Sequence, residues 1–135
     1  MAADRPAVSR SVLVIEDEVL VGLFLADELS RAGFTVLGPC GTCADALKVL
    51  RTFNPDLAIL DIGLKDGTCH PIARELKQRH VPFLVFSGFC RGRTSAIEFR
   101  PTIWIAKPAP ISHVVRALHQ LEQLVACEHT PALLN

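Results

Sequence analysis

Five short apolar runs punctuate the chain: "VLVI" at 12–15, "FTVL" at 34–37, "LAIL" at 57–60, "FLVF" at 83–86 and "TIWIA" at 102–106. None alternates apolar with polar, the pattern expected of strands covered on both faces rather than on one. The segments between them have helical spacing. "EVLVGLFLADELSRAG" is densely apolar, brings Arg31 late and places Gly33 just past its end as a stop. The next helix starts at "TCAD", where Thr42 can cap and Asp45 can reach back, and runs through Leu47, Val49 and Leu50. A third follows "DGTCHP", with Ile72, Ala73 and Leu76 inward and Arg74, Glu75, Lys77 and Gln78 outward. The last puts Ile111, Val114, Val115, Leu118, Leu121, Leu124 and Val125 on one stripe. The segment "GFCRGRTSAIEFRP" has two glycines, a proline and only Ala96, Ile97 and Phe99 to bury, so the fourth helix is expected to be short or irregular. Strand then helix, repeated five times, implies a parallel sheet with helices on both faces, because right-handed crossovers are the common way to build one. An open doubly wound α/β domain is the expected fold.

Composition narrows the function classes. The chain has 135 residues, half of them apolar, enough for one core. Its 14 basic and 14 acidic residues cancel, so no long-range field favours nucleic acid or anionic lipid as a direct partner. No apolar run approaches the roughly 18 residues of a membrane span, and "MAADRPAVSR" lacks the apolar stretch of a secretory signal, which points to the cytoplasm. Five cysteines at irregular spacing are read as reduced thiols. Residues 1–10 are expected to be a flexible lead, 11–127 the domain and 128–135 a tail.

In open α/β sheets ligands bind beyond the carboxyl ends of the strands. That rule gathers Glu16 and Asp17 from the first strand, Asp61 from the third, Ser87 from the fourth and Lys107 from the fifth at one edge. Like charges set together ask for a cation, and three carboxylates among backbone oxygens suit Mg2+. The lysine and the hydroxyl add donors for an anion of high charge density such as a phosphoryl group. Asp61 is then placed to act as a nucleophile, with Lys107 and the metal stabilising charge on the transferring oxygens. Glu18 reads as a first-turn acid favoured by the helix dipole.

Four motifs in this order, "VLVIEDE", "LAILDIGLKDG", "FLVFSG" and "WIAKPAP", resemble the response regulator receiver domain, the phosphoacceptor of two-component signalling, over about residues 10 to 127. The resemblance implies a flavodoxin-like sheet of order 2-1-3-4-5 and phosphorylation of Asp61 by a phosphohistidine. It implies that Asp17 ligates Mg2+ directly, Glu16 through water, and Gly63 through its carbonyl. Ser87 would bind the phosphoryl group, Lys107 would pair with it, Trp104 would be an aromatic switch, and the bond before Pro108 would be cis. The partners implied are a histidine kinase or histidine phosphotransfer protein, a downstream protein target, and a second copy of the chain as a homodimer. The domain would signal rather than turn over a substrate, catalysing only its own phosphorylation and dephosphorylation. With only "EHTPALLN" after the last helix, a stand-alone receiver is expected unless the chain is a fragment.

The chain departs from the family pattern at several places. Lys65 stands where a proline is usual, suggesting a looser loop, and Phe89 is large, suggesting a shield over an acyl phosphate with Gly63 leaving one approach open. "FRPT" replaces the usual Gly-Ala pair before the fifth strand. Three other readings compete: a receiver-like interaction module that is never phosphorylated, an acid-nucleophile phosphatase lacking its second aspartate because Gly63 holds that place, and a thiol-redox protein using Cys40 and Cys43 of "PCGTC". Cys69, Cys90 and Cys127 read as incidental thiols, and His70, His80, His113, His119 and His129 as surface residues without metal pairing.

Overall fold

In a computed structural model of the chain, residues 10–64, 66–88 and 103–128 are described, with side chains to residue 124. In chain order the elements are β1 (Ser11–Ile15), α1 (Val19–Arg31), β2 (Thr35–Cys40), α2 (Cys43–Thr52), β3 (Leu57–Leu60), β4 (Gly63–Leu64), β5 (Gly67–Thr68), α3 (His70–Gln78), β6 (Phe83–Ser87), β7 (Ile103–Ala106) and α4 (Ile111–Glu128). The longer strands form one parallel sheet of order β2-β1-β3-β6-β7, while β4 and β5 pair as a separate antiparallel ribbon. With the ribbon left out of the count, this is the 2-1-3-4-5 order that the resemblance implies.

The sheet explains why the apolar runs do not alternate. Leu13 and Ile15 of β1 join Leu50 of α2 and Ile72 and Leu76 of α3 in one apolar cluster. Val12 and Val14 join Leu25 and Leu29 of α1 and Val114 and Leu118 of α4 in another. Each strand residue therefore meets a helix whichever way it points, and Val12 through Ile15 are each 0% exposed. Local signals set the helix ends. Gly33 takes φ +98° just past α1, the hydroxyl oxygen of Thr42 accepts the Asp45 N–H at 3.1 Å, and Pro71 sits in the first turn of α3, where its missing N–H removes no helical bond.

Two expectations need correction. β2 does not stop at Leu37; it continues through Gly38 and Pro39 to Cys40, with a register shift that pairs Leu13 with Leu37 but Ile15 with Cys40. It is the edge strand with a single neighbour, and although Val36 and Leu37 pack into the clusters on its two faces, Thr35, Gly38 and Pro39 are exposed. An edge tolerates a proline, which has no N–H to give to a ladder. In the last helix Ala117 is core, whereas Leu124, expected on the buried stripe, is 58% exposed. α4 has 18 residues, about 27 Å at 1.5 Å per residue, while the four residues of β7 span about 13 Å, so the final turns of the helix outrun the sheet. The expected fourth helix, Lys65, Phe89 and the two terminal segments lie outside the described residues, as does the side chain of Val125.

The shift in β2 turns on Gly38, at φ +97°, where an added Cβ would come within 2.8 Å of the Val14 carbonyl oxygen and the Cys40 amide nitrogen. Gly33 shares the sign of φ but has nothing within 4 Å. Gly33→Ala should thus bring backbone strain alone, and Gly38→Ala strain plus a clash. Urea unfolding is expected to show Gly38→Ala less stable than Gly33→Ala by about 1–3 kcal/mol, and equal losses would contradict the close approach.

Candidate functional site

Backbone hydrogen bonds carry the sheet one residue beyond its strands and fix where the polar side chains begin. The Glu16 N–H donates to the Cys40 carbonyl at 2.8 Å, the Asp61 N–H to that of Ile15 at 2.9 Å and the Lys107 N–H to that of Ser87 at 2.9 Å. The side chains then converge on Lys107. Its Nζ lies 2.8 Å from Glu16 Oε1, 2.9 Å from Glu18 Oε1 and 3.0 Å from Asp61 Oδ2, with the Phe86 ring centroid at 5.3 Å. Ser87 Oγ donates to Asp61 Oδ1 at 2.8 Å, so both oxygens of the Asp61 carboxylate are held by donors. Among the described residues Glu16, Asp61 and Ser87 are the buried polar ones.

Burial has electrostatic consequences. It drives the Glu16 carboxyl up to about 7, against the opposing effects of its hydrogen bonds with Lys107 and the Glu18 N–H. Burial alone would lower the pKa of Lys107, but hydrogen bonds to Glu16, Glu18 and Asp61 outweigh it and the net shift is upward. The ammonium is thereby kept charged.

The site opens to solvent through a cleft of about 430 Å³ lined by Asp17, Glu18, Asp61, Gly63, Ser87, Gly88 and Lys107. One carboxylate oxygen from each of Glu16, Glu18 and Asp61 lies within 4.8 Å of the others. An all-oxygen set of this kind fits a hard divalent cation such as Mg2+ and not a metal that prefers thiolate or imidazole. Chemically the arrangement offers a carboxylate nucleophile flanked by a hydroxyl and an ammonium, facing solvent across a rim of acids.

Of the residues singled out in the sequence, Glu16, Asp61, Ser87 and Lys107 are in mutual contact, and Asp17 and Gly63 line the same cleft. The Lys107–Pro108 peptide bond is cis. Trp104 is not in the lining; it pairs with Val85 in the sheet and packs on the cluster under α2 and α3. Glu18 is where the sequence reading fell short. It precedes α1 with an extended backbone (φ −82°, ψ 110°), but its side chain makes no cap and reaches Lys107 instead. β1 ends at Ile15 and the chain bends at residues 17 and 18, so Glu16 and Glu18 meet through that bend, which "EDE" alone does not announce. The Glu18 N–H donates to Glu16 Oε2 at 3.0 Å, which locks that pairing.

The Cys40 and Cys43 thiols are both shifted away from acidity. Burial raises the pKa of Cys40, and burial followed by the Asp66 carboxylate raises that of Cys43, so the start of α2 does not yield the acidic thiol a redox pair needs. His119 is also more than a bare surface residue, since its ring packs on Phe34 with centroids 5.0 Å apart and Nδ1 lies 3.4 Å from Glu122 Oε1.

Comparison with known proteins gives the same picture. The family model of the response regulator receiver domain matches residues 12–119. The transcriptional regulatory protein PdtaR of Mycobacterium tuberculosis is 26% identical over 136 residues, covering 96% of this chain, which spans 66% of that relative's length. Among solved structures, the receiver domain of the response regulator PhyR from Erythrobacter litoralis superposes with a TM-score of 0.74 at 26% identity, covering 84% of this chain and 90% of that one. The response regulator TrrA of Thermotoga maritima, solved in complex with Mg2+ and BeF, gives 0.70 at 21% identity, covering 83% and 98%. A match across most of the described sheet, joined to an acidic cleft whose aspartate is held by a serine and a lysine, places the chain in the response regulator receiver domain family, the signalling domain of two-component systems.

Proposed function

We propose that Asp61 accepts a phosphoryl group from a phosphohistidine on a histidine kinase or histidine phosphotransfer protein, and that the acyl phosphate switches a protein-binding surface. The observation that carries this reading is the Asp61 carboxylate itself, buried yet at the floor of an open cleft with both oxygens held by Ser87 and Lys107. One carboxylate oxygen attacks phosphorus, the P–N bond breaks, and the imidazole leaves with the bonding pair and picks up a proton. Lys107 Nζ, now 3.0 Å from Asp61 Oδ2, is placed to follow the charge onto the phosphoryl oxygens, and Ser87 Oγ to donate to one of them. Glu16, Asp17, Asp61 and the Gly63 carbonyl would hold Mg2+, with Glu18 at the rim, and the ion would supply further positive charge to those oxygens. The Mg2+ and BeF complex of TrrA supports that ligand class here. Drawing Ser87 and Lys107 toward a new dianion would pull on β6 and on β7, where Trp104 pairs with Val85 of β6, which makes this ring the proposed reporter of the switched state.

The phosphodonor must reach Asp61 past the rim, and the surface there is unusual. Val19, Leu20, Leu23 and Phe24 are 65, 67, 53 and 60% exposed, one face of α1 that begins directly after Glu18. A donor presenting its histidine to the cleft would cover that face.

Acetyl phosphate with Mg2+ is expected to add one phosphoryl group to the wild-type protein and none to Asp61→Asn by intact mass; incorporation that survives the substitution would assign the acceptor elsewhere. Phe24→Asp should leave acetyl phosphate labelling intact while slowing transfer from a phosphorylated histidine donor by about fivefold or more, since exposed aromatics of this kind anchor interfaces. Transfer at the wild-type rate would remove α1 from the docking surface.

Glu16 also sets a pH dependence. Its folded pKa of about 7 lies above its ordinary 4.5, so the native state binds the extra proton between those values, and metal-free stability from this group falls as pH rises from 4.5 to 7 and levels off beyond. Chemical unfolding in a chelator should show wild type losing on the order of 1–3 kcal/mol more than Glu16→Gln between pH 5 and pH 8. Parallel profiles would mean that the carboxyl is not raised.

A further inference from the structure

The loop that follows Asp61 lacks the proline usual in its family, yet it is tied down by other means. β4 and β5 pair Gly63 with Thr68 and Leu64 with Gly67, and Asp66 stands in the turn just before Gly67, which opens β5 at φ +128°. Asp66 reaches across to the start of α2. Its Oδ1 accepts the Cys43 N–H at 2.8 Å and its Oδ2 the Ala44 N–H at 3.2 Å, while the Cys43 thiol donates to the Thr68 carbonyl at 3.2 Å. The first N–H groups of a helix have no partner within it, so a carboxylate from elsewhere in the chain can fill that need and be held by it. The Cys43 N–H lowers the Asp66 pKa, as a helix start should. Thr42 caps the same helix separately, by accepting the Asp45 N–H. The N-terminus of α2 is therefore capped twice, once by its own residue and once by the acceptor loop.

We propose that Asp66 is a positioning residue for the phosphorylation site: by anchoring the 63–68 ribbon on the first turn of α2, it holds Gly63 against the cleft where the metal and the phosphoryl group bind. Gly63 lines the cleft and is paired to Thr68 within the ribbon, so a shift of the ribbon moves a wall of the site. The path runs from Asp66 to Gly67 and Thr68, and across the ribbon to Gly63, two residues from the acceptor. The proposal rests on the reading of Asp61 and its cleft given above.

Thr42 supplies the control. Thr42→Ala removes a cap from the same helix without touching the loop, whereas Asp66→Ala removes the anchor, and each should lower thermal stability by a few degrees. Mg2+ affinity of the unphosphorylated protein is measured by calorimetry, together with the Mg2+ concentration that half-saturates labelling by acetyl phosphate. Asp66→Ala is expected to raise both about five- to tenfold with the plateau rate within about twofold, and Thr42→Ala to leave both within about twofold. Asp66→Asn, which keeps one acceptor oxygen and serves if the alanine variant does not fold, should fall between wild type and that shift. Equal shifts in the Asp66 and Thr42 variants, or none in either Asp66 variant, would overturn the positioning role. Wild type that takes up no phosphoryl group at all would instead overturn the reading on which it rests.

Discussion

The structure turns on one ammonium group. Glu16 and Asp61 are almost without contact with water, only 4 and 6% exposed at the end of an apolar sheet, a position that charged groups tolerate only when paired. Lys107 supplies the pairing for both, and its own place is fixed because its N–H bonds to the Ser87 carbonyl, where β6 and β7 run on together. Taking the lysine away would leave two buried carboxylates facing each other. Taking the carboxylates away would leave a half-buried ammonium with Glu18 alone. Yet three acids around one base leave negative charge unbalanced, which gives the edge its capacity for a divalent cation. Stability of the resting site and appetite for a metal are thus two sides of one charge imbalance.

Much of this could be read from the chain because the strands announce themselves. A run such as "VLVI" is long enough to be a strand and too apolar to face water on either side, so its helices must lie above and below; the clusters around Val12 and Leu13 are that statement in three dimensions. Once the sheet is parallel, its carboxyl edge collects Glu16, Asp61, Ser87 and Lys107 without further information. What failed depended on which neighbours a residue has. β2 reads like its fellows, but it runs on through Gly38 and Pro39 to Cys40, and nothing in "FTVL" says so. Leu124 keeps the helical period of its stripe, but period cannot say where the sheet ends beneath it. Asp66 was silent for a related reason: it lies 23 positions from Cys43, and its role exists only when the loop and α2 meet.

Glu18 teaches a narrower lesson. A single acid at the head of a helix is well explained by the helix dipole, and that explanation sufficed for the sequence. Two details defeat it: α1 takes no side-chain cap from Glu18, and the Glu18 carboxylate lies 2.9 Å from Lys107 Nζ, the group that Glu16 also meets. The middle acid, Asp17, is left to line the cleft. Contact with Lys107 thus divides the triplet differently from helix position.

The three partners of Lys107 are also unequal, and the inequality suits a switch. The side chains of Glu16 and Asp61 are 2 and 9% exposed, whereas that of Glu18 is 61% exposed at a similar distance from Nζ. An exposed ion pair contributes about 0–1 kcal/mol, because water and salt compete for both ends, while a pair screened from water resists separation far more. On the proposed function, a phosphoryl group on Asp61 would add negative charge in the cleft that Asp61 and Lys107 both line. Of the three contacts of Lys107, the one with Glu18 is therefore the least costly to break, and on the proposed function it would be the first to open as the ammonium follows charge onto a phosphoryl group.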